Sequence, residues 1–221
     1  MITVHHLNNS RSQRVLWMLE ELGTPYELKL YRRDPKTMLA PAELRQVHPL
    51  GKSPVITEGG LTLAESGAIL EYLVERHGQG RFIPPGEADR LRYRYWMHYA
   101  EGSAMPPLLL KLIFDRMEKG PAPFFIRPVL KGIAQRVKST FVQPQIELHL
   151  DYMEGELGKG EWFAGEAFSA ADVQMSFPIE AAAARGGLNA SRPRLIAFLD
   201  RIRKRPAYQR ALERGGKFSL S

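Results

Sequence analysis

The chain contains no cysteine among its 221 residues. Disulfides, thiolate-bound metals and a cysteine nucleophile are therefore excluded, and any thiol chemistry must use a thiol that the substrate supplies. The six histidines include the neighbours His5 and His6, but no two of them form an HxxxH or HExxH spacing. We therefore predict no metal site and no metal or redox cofactor.

Long apolar runs are also missing. No run approaches the roughly 20 residues that a membrane-spanning helix needs. The first residues, MITVHHLNNSRSQRV, lack the apolar stretch of a secretory signal. We therefore expect a cytoplasmic protein without a membrane partner. Hydrophobic residues make up 44% of the chain and charged residues 25%, which is ordinary for a soluble globular protein with a sizeable core.

The formal net charge is +7. Such a charge could serve nucleic-acid binding, or it could attract a small anionic ligand. Most basic residues are interleaved with acids, and the densest group is Arg201, Arg203, Lys204 and Arg205. This pattern favours a solvated helix face, so we predict no nucleic-acid partner. Salt-dependent retention on DNA would indicate the opposite.

The first half of the chain alternates strand-like and helix-like patterns. Short runs of β-forming residues predict strands, and apolar residues at helical spacing predict helices between them. The predicted order is strand Ile2–Leu7, a helix ending at Gly23, strand Tyr26–Tyr31, short helix Pro41–Val47, strands Ser53–Thr57 and Leu61–Ala64, and helix Glu65–Arg76. A βαβ unit followed by a ββα unit predicts a thioredoxin-like domain.

The second half has no strand signal after a segment rich in glycine and proline, Gly78–Glu87. Helical patterns cover Ala88–Met117 with a break near Pro106, Ile126–Leu157 with a kink before Pro144, Ser169–Ala184, Arg192–Arg203 and Pro206–Glu213. We therefore predict an α/β plus all-α protein. Its parts are a thioredoxin-like domain over residues 1–79, a linker over residues 80–88 and an all-helical domain over residues 89–221.

The turn Asn8–Ser12 lies between the first strand and the first helix, where ligands of such a sheet bind. Its amide and hydroxyl donors and the helix end would favour a bound thiolate. Lowering a thiol pKa by roughly two units takes about 2.7 kcal/mol. One directed hydrogen bond and the helix end can supply that energy. The same residue types are ordinary helix caps, so a structural role fits too.

Two further segments are expected beside this turn. A cis bond at Pro54 would leave the backbone of Val55 free to pair with an extended peptide, and Lys52 could meet a carboxylate. At the next helix start, Ser66 could bind a carboxylate and Glu65 an ammonium group. Each segment alone also fits an ordinary turn or cap. Together they match a ligand with an amino-acid end, a thiol-bearing peptide and a terminal carboxylate, which are the features of glutathione.

Four stretches resemble segments of cytosolic glutathione transferases, in the family's order: SRSQRVLWMLEELGTPYE, HPLGKSPVI, LAESGAILEYL and FSAADV. The resemblance covers nearly the whole chain. It implies a cis proline at Pro54, a backbone contact at Val55 and γ-glutamyl contacts at Glu65 and Ser66. Ser169–Asp172 resembles the family's capping box, for which we predict a structural role. Glutathione would then be a co-substrate, and no cofactor is implied.

The thiol-activating residue does not carry over directly. The family uses Tyr, Ser or Cys near the end of the first strand, but this chain has no cysteine and no tyrosine before Tyr26. We predict Ser10 as the catalytic residue, with Asn9 as the alternative and Ser12 and Arg11 after them. Without a cysteine, reactions through an enzyme mixed disulfide are disfavoured.

The first helix of the second domain is expected to contribute a pocket for the second substrate. Its aromatic and methionine side chains suit an adaptable apolar pocket, although most of them would fit a core equally well. We predict Arg11, Met97, Glu101 and Met105 at this pocket. His98 as an acid–base group is an alternative.

The resemblance implies an enzyme that stabilises the glutathione thiolate for attack on a hydrophobic electrophile, or that reduces a peroxide with it. Detoxification chemistry and a homodimer are implied as well. The alternative is a non-catalytic binding or scaffold protein with the same fold.

Overall fold

A computed structural model describes residues 1–220 of the chain. Its single sheet has four strands in the order β2-β1-β3-β4. The strands are β1 (Ile2–Leu7), β2 (Tyr26–Tyr31), β3 (Val55–Glu58) and β4 (Leu61–Ala64). β1 runs parallel to β2, and β3 is antiparallel to both β1 and β4. This is the predicted thioredoxin-like arrangement.

Three helices accompany the sheet: α1 (Ser12–Leu22), α2 (Leu44–Val47) and α3 (Ser66–His77). α1 buries Val15, Leu16 and Leu19 completely and contacts β1 and α3. It ends where Gly23 takes a φ of 69° and donates its N–H to the Leu19 carbonyl. This left-handed backbone conformation favours glycine. The predicted end of the helix at Gly23 is therefore correct.

The remaining helices are α4 (Glu87–Tyr99), α5 (Met105–Lys119), α6 (Arg127–Val137), α7 (Gln143–Glu156), α8 (Ala170–Ala181), α9 (Pro193–Arg203) and α10 (Pro206–Gly215). Between residues 65 and 220 the only β-pairing is one isolated bridge, from Trp162 to Gly165. The predicted fold class, α/β followed by all-α, is thereby confirmed.

Each of the two long predicted helices is divided by a π-helical segment. Ala100–Ala104 joins α4 to α5 just before Pro106, and Lys138–Val142 joins α6 to α7 just before Pro144. Proline has no N–H, and its ring clashes with the carbonyl four residues earlier. A widened turn at this point relieves that clash.

The capping box at the start of α8 is present. The Asp172 carboxylate accepts hydrogen bonds from the Ser169 N–H at 2.8 Å and from the Ser169 hydroxyl at 3.0 Å. It also accepts the N–H of Phe163 at 2.9 Å, which ties the preceding loop to the helix. Every residue of α8 is buried. The motif therefore has the structural role that the sequence predicts.

The two halves of the chain share one core. α1 contacts α8 and α10, and Trp17 packs edge-on against Tyr208, with ring centroids 5.1 Å apart. Arg205, from the basic group near the C-terminus, also connects the two halves of the chain. Arg205 bonds the Glu21 carboxylate at 2.5 Å and lies over the Phe168 ring. The predicted solvated face is thus wrong for Arg205, whose charge has a structural partner 184 residues away.

Within residues 1–220, no helix is both long and apolar enough to cross a membrane. The same residues contain no group of three or more histidine, aspartate or glutamate side chains placed to hold a metal ion. The predicted bounds of the two domains and the linker stay a prediction, although α3 ends at His77 and α4 begins at Glu87.

Candidate active site

The turn between β1 and α1 brings Asn9 to the carboxyl end of the central strand. Asn8 continues the strand pairing, because its N–H bonds the Tyr31 carbonyl at 3.2 Å. Asn9 then takes a φ of 50°, a conformation that asparagine tolerates better than most residues. Its side-chain oxygen accepts the N–H of Ser219 at 3.0 Å. The Asn9 amide nitrogen bonds no residue in the described range, so its two hydrogens are available to a ligand.

Ser10 belongs to a buried chain of polar groups beneath this turn. Its hydroxyl lies 2.7 Å from the Ser12 hydroxyl, which lies 2.8 Å from His6 Nδ1. His6 Nε2 lies 3.1 Å from the Gly215 carbonyl. A carbonyl only accepts, so neutral His6 carries its hydrogen on Nε2 and accepts from Ser12 at Nδ1. Ser12 then accepts from Ser10, so the Ser10 hydroxyl hydrogen points inward.

Burial lowers the pKa of His6, although the hydrogen bond to Gly215 acts in the opposite direction. We expect the free energy of unfolding to fall as the pH drops from 7.5 to 5.5. The unfolded chain binds a proton at the ordinary histidine pKa of about 6.5, whereas folded His6 stays neutral below that pH. The His6→Asn variant should lose about 1 kcal/mol less than wild type over this range.

Urea unfolding at pH 7.5, 6.5 and 5.5 measures this difference. His98→Asn is the matched control, because His98 is exposed and bonds nothing among residues 1–220. A His6→Asn variant with the same pH dependence as wild type would contradict the expectation.

The segment after α2 contains the predicted cis bond, between Ser53 and Pro54. The expectation that the Val55 backbone is unpaired is wrong. β3 lies inside the sheet, and Val55 stands opposite His5 on one side and Ala64 on the other. The free backbone lies two residues earlier. The Ser53 hydroxyl donates to the His5 carbonyl at 2.8 Å, while the Ser53 main-chain N–H and C=O bond no described residue.

Lys52 and Glu65 lie on the surface near this segment, and neither side chain has a hydrogen bond or ion pair within residues 1–220. Glu65 takes a φ of 72° at the junction of β4 and α3, which is a strained backbone conformation for a residue other than glycine. Such strain often accompanies ligand contacts. Because neither side chain has a partner among these residues, the Lys52 ammonium and the Glu65 carboxylate are both available to the charged ends of a zwitterionic ligand.

Ser66 is buried at the first position of α3, and its hydroxyl oxygen accepts a hydrogen bond from Arg14 Nη2 at 2.7 Å. Arg14 is only 2% exposed and also bonds Glu101 at 2.5 Å and the Gln174 carbonyl at 2.7 Å. Since Arg14 donates to the serine oxygen, the Ser66 hydrogen remains free for an acceptor. Arg11 completes this network through Nε, which lies 2.9 Å from both Glu101 oxygens.

The charges in this network stabilise one another. Burial lowers the pKa of Arg14, and the neighbouring Glu101 opposes that effect. Burial by itself raises the pKa of Glu101, but the charges of Arg14 and Arg11 outweigh it and leave that pKa below its ordinary value.

The sequence analysis did not identify Arg14 as a residue of the site. A signal was available, because the spacing of Arg14, Met18 and Leu22 places the arginine on the same helix face as two apolar residues, and all three are buried.

A cleft of about 250 Å³ opens between the two halves beside Asn9. Its lining residues are Asn9, Arg11, Arg33, Met38, Met105, Leu109, Leu112, Arg116, Phe177, Arg185, Ser219 and Leu220. Of the four residues predicted for the second-substrate pocket, the structure brings Arg11 and Met105 to the cleft. Met97 is 3% exposed within the core, and Glu101 is held by the two arginines. Neither lines this cleft.

A larger cavity of about 790 Å³ lies on the other side of the C-terminal segment, between α8 and α10. Glu180 and Tyr208 line it and bond each other at 2.5 Å. It contains none of the predicted site residues, so the smaller cleft is the candidate active site.

Comparisons with known proteins identify the family to which this fold belongs. Family models described as the N-terminal and C-terminal domains of glutathione S-transferase match residues 10–76 and 123–214. The chain is 44% identical over 184 residues to glutathione S-transferase 3 of Schizosaccharomyces pombe, covering 82% of this chain and 74% of that protein. It is 33% identical over 190 residues to glutathione S-transferase 1 of Saccharomyces cerevisiae, covering 82% and 81%.

A solved glutathione S-transferase from Actinobacillus pleuropneumoniae superposes with a TM-score of 0.80 at 33% identity, covering 100% of this chain and 95% of that one. A theta-class enzyme from Xanthomonas axonopodis pv. citri, solved with glutathione bound, shares the fold at a TM-score of 0.73 and 23% identity, covering 100% and 99%. The chain therefore belongs to the glutathione S-transferase family. The predicted family and enzyme class are confirmed. Enzymes of this family use glutathione as a co-substrate.

Proposed function

We propose that this chain binds glutathione beside Asn9 and stabilises its thiolate for attack on an electrophile in the cleft. The observation that carries the proposal is the Ser66 hydroxyl. It lies at the N-terminus of α3, is fixed by buried Arg14 and keeps its own hydrogen for an acceptor. A helix N-terminus with such a donor suits a carboxylate.

The other groups suit the rest of glutathione. Glu65 would take the ammonium group and Ser66 the carboxylate of the γ-glutamyl end. The free main-chain N–H and C=O of Ser53 would pair with the central peptide, in the role first predicted for Val55. Lys52 would bind the terminal carboxylate. Pro54, cis and buried, gives the segment its shape.

Between Asn9 and Ser10, the existing hydrogen bonds favour Asn9 as the donor to the thiolate. Its amide hydrogens are free, whereas the hydroxyl hydrogen of Ser10 points toward Ser12. In a transfer reaction the sulfur forms a bond to the electrophilic carbon as the bond to the leaving group breaks. Peroxidase activity would use the same thiolate, with two glutathione molecules oxidised to a disulfide while one peroxide is reduced to an alcohol and water.

Calorimetric titration with glutathione tests the site. Wild type should bind, and Ser66→Ala should bind roughly ten- to a hundredfold more weakly, since a hydrogen bond to a charged group is lost. Ser191→Ala is the matched control, because Ser191 is an exposed serine far along the chain, before α9. Turnover of 1-chloro-2,4-dinitrobenzene then separates an enzyme from a scaffold. Failure of wild type to bind millimolar glutathione would sink the proposal and favour the scaffold alternative.

The homodimer and the cytoplasmic location stay predictions. Exposed apolar side chains such as Leu91 and Tyr95 on α4 are compatible with a subunit contact. Light scattering of the purified protein measures the oligomeric state directly.

A further inference from the structure

The cleft beside Asn9 has an unusual charge for a site expected to hold a hydrophobic electrophile. Four of its lining residues are arginines, and no acidic side chain lines it. The arginines come from four separate parts of the chain: Arg11 before α1, Arg33 after β2, Arg116 in α5 and Arg185 after α8.

Three of these arginines have no carboxylate partner within residues 1–220. Arg33 donates only to main-chain carbonyls, namely those of Asn8, Asn9 and Met38. Arg185 donates to the Leu220 carbonyl at 2.9 Å, and its Nε is buried without a partner. Arg116 makes no hydrogen bond or ion pair in the described range. Only Arg11 has an acid, and it shares Glu101 with Arg14.

The arginines repel one another across the cleft. Burial is the main cause that lowers the pKa values of Arg33 and Arg185. The positive charges of Arg11 and Arg116 lower these two pKa values further. Asp115 opposes this at Arg185, but that carboxylate is already bonded by Lys111 at 2.8 Å and Lys138 at 2.7 Å. An anion in the cleft would offset the repulsion.

We propose that the second substrate is an electrophile that carries a carboxylate, which Arg185 and Arg116 bind. This rests on the proposed function, because the cleft must hold the electrophile beside the thiolate. Met105 and Phe177 on the same lining would contact its hydrocarbon or aromatic part. Guanidinium groups bind carboxylates in a directional, often bidentate way, which suits recognition of an acid over its neutral amide.

Glutathione itself carries two carboxylates that could use the same arginines. In the proposed arrangement these lie at Ser66 and at Lys52, neither of which lines the cleft. The experiment therefore has to separate binding of the electrophile from binding of glutathione.

A pair of matched probes makes this separation: 4-chloro-3,5-dinitrobenzoate and its neutral analogue 4-chloro-3,5-dinitrobenzamide. With either one, the sulfur bonds to the chlorinated ring carbon, the carbon–chlorine bond breaks and chloride leaves. The thiol proton passes to solvent, and no group is oxidised or reduced overall. After division by the uncatalysed rate, we expect kcat/KM to favour the benzoate by at least about tenfold.

Charge removal within the cleft should abolish this preference. Arg185→Gln is expected to reduce kcat/KM for the benzoate about tenfold and Arg116→Gln, at an exposed position, about threefold. The amide rate and the glutathione affinity should change less than about twofold. Arg94→Gln is the matched control, because Arg94 is exposed on α4 and bonds no described residue. The preference should also shrink as salt is added.

Equal use of the two probes, with glutathione binding intact, overturns the inference and leaves the proposed function standing. Loss of glutathione affinity in Arg185→Gln also overturns it, since the arginines would then serve glutathione. If wild type binds no glutathione, the proposed function fails; if it binds glutathione but turns over neither probe, binding decides the inference. The glutathione conjugates of the two probes are then titrated: tighter binding of the acidic conjugate supports the anion site, and equal binding overturns it.

Discussion

Replacement of Arg14 with methionine is expected to lower the free energy of unfolding by about 3 kcal/mol and to weaken glutathione binding. The guanidinium is 2% exposed and bonds Ser66, Glu101 and the Gln174 carbonyl together. Methionine fills a similar length but donates no hydrogen bond. Glu101 would be left half-buried with Arg11 alone, and the Ser66 hydroxyl would lose the group that orients it.

Urea unfolding and glutathione titration measure the two effects. Arg11→Met is the matched control, since Arg11 is 37% exposed and touches the same carboxylate, and we expect it to cost about 1 kcal/mol or less. The double variant Arg14→Met with Glu101→Leu should recover part of the loss, because no carboxylate is left uncompensated. A loss below about 1 kcal/mol for Arg14→Met alone would show that the network is not a structural requirement.

Local patterns predicted the strands and most helix ends because they depend on neighbours in sequence. Gly23 ends α1 through its own backbone conformation, and the strands follow from their residue types. The prediction was less accurate where the chain forms a tighter turn. Pro41–Val47 is predicted to be helical, but the N–H groups of Leu44, Arg45 and Gln46 all bond carbonyls three residues back. The segment is therefore mostly a tight 3₁₀-like turn, and the helix is limited to Leu44–Val47.

The site was harder to predict because its partners are distant in sequence. Arg14 and Glu101 are 87 residues apart, and no local pattern pairs them. Because β3 pairs with strands on both sides, the free backbone is at Ser53 and not at Val55 as predicted. The arginines of the cleft come from four separate parts of the chain, so the formal net charge of +7 predicts attraction of a small anionic ligand but locates no site for it. Only the folded structure brings these four arginines together at one cleft.

Replacement of Asn9 with glycine is expected to raise the pKa of bound glutathione by about one to two units and to lower kcat roughly ten- to a hundredfold near neutral pH. The asparagine amide hydrogens are the free donors at this turn, and a thiolate that loses such a donor is less stable. Asn9→Asp should lose more, because a carboxylate can only accept and would repel the thiolate.

The backbone at Asn9 makes the choice of variant important. Its φ of 50° suits glycine but costs alanine about 1–2 kcal/mol, so Asn9→Ala alone would mix strain with loss of the amide. Glycine and alanine variants that lose the same activity identify the amide as the cause, and a loss confined to alanine identifies the backbone. The ultraviolet absorbance of the thiolate, followed against pH in the binary complex, gives the thiol pKa for each variant. An unchanged thiol pKa in Asn9→Gly, with a raised one in Ser10→Ala, would return the activating role to Ser10 and require its hydroxyl to turn away from Ser12.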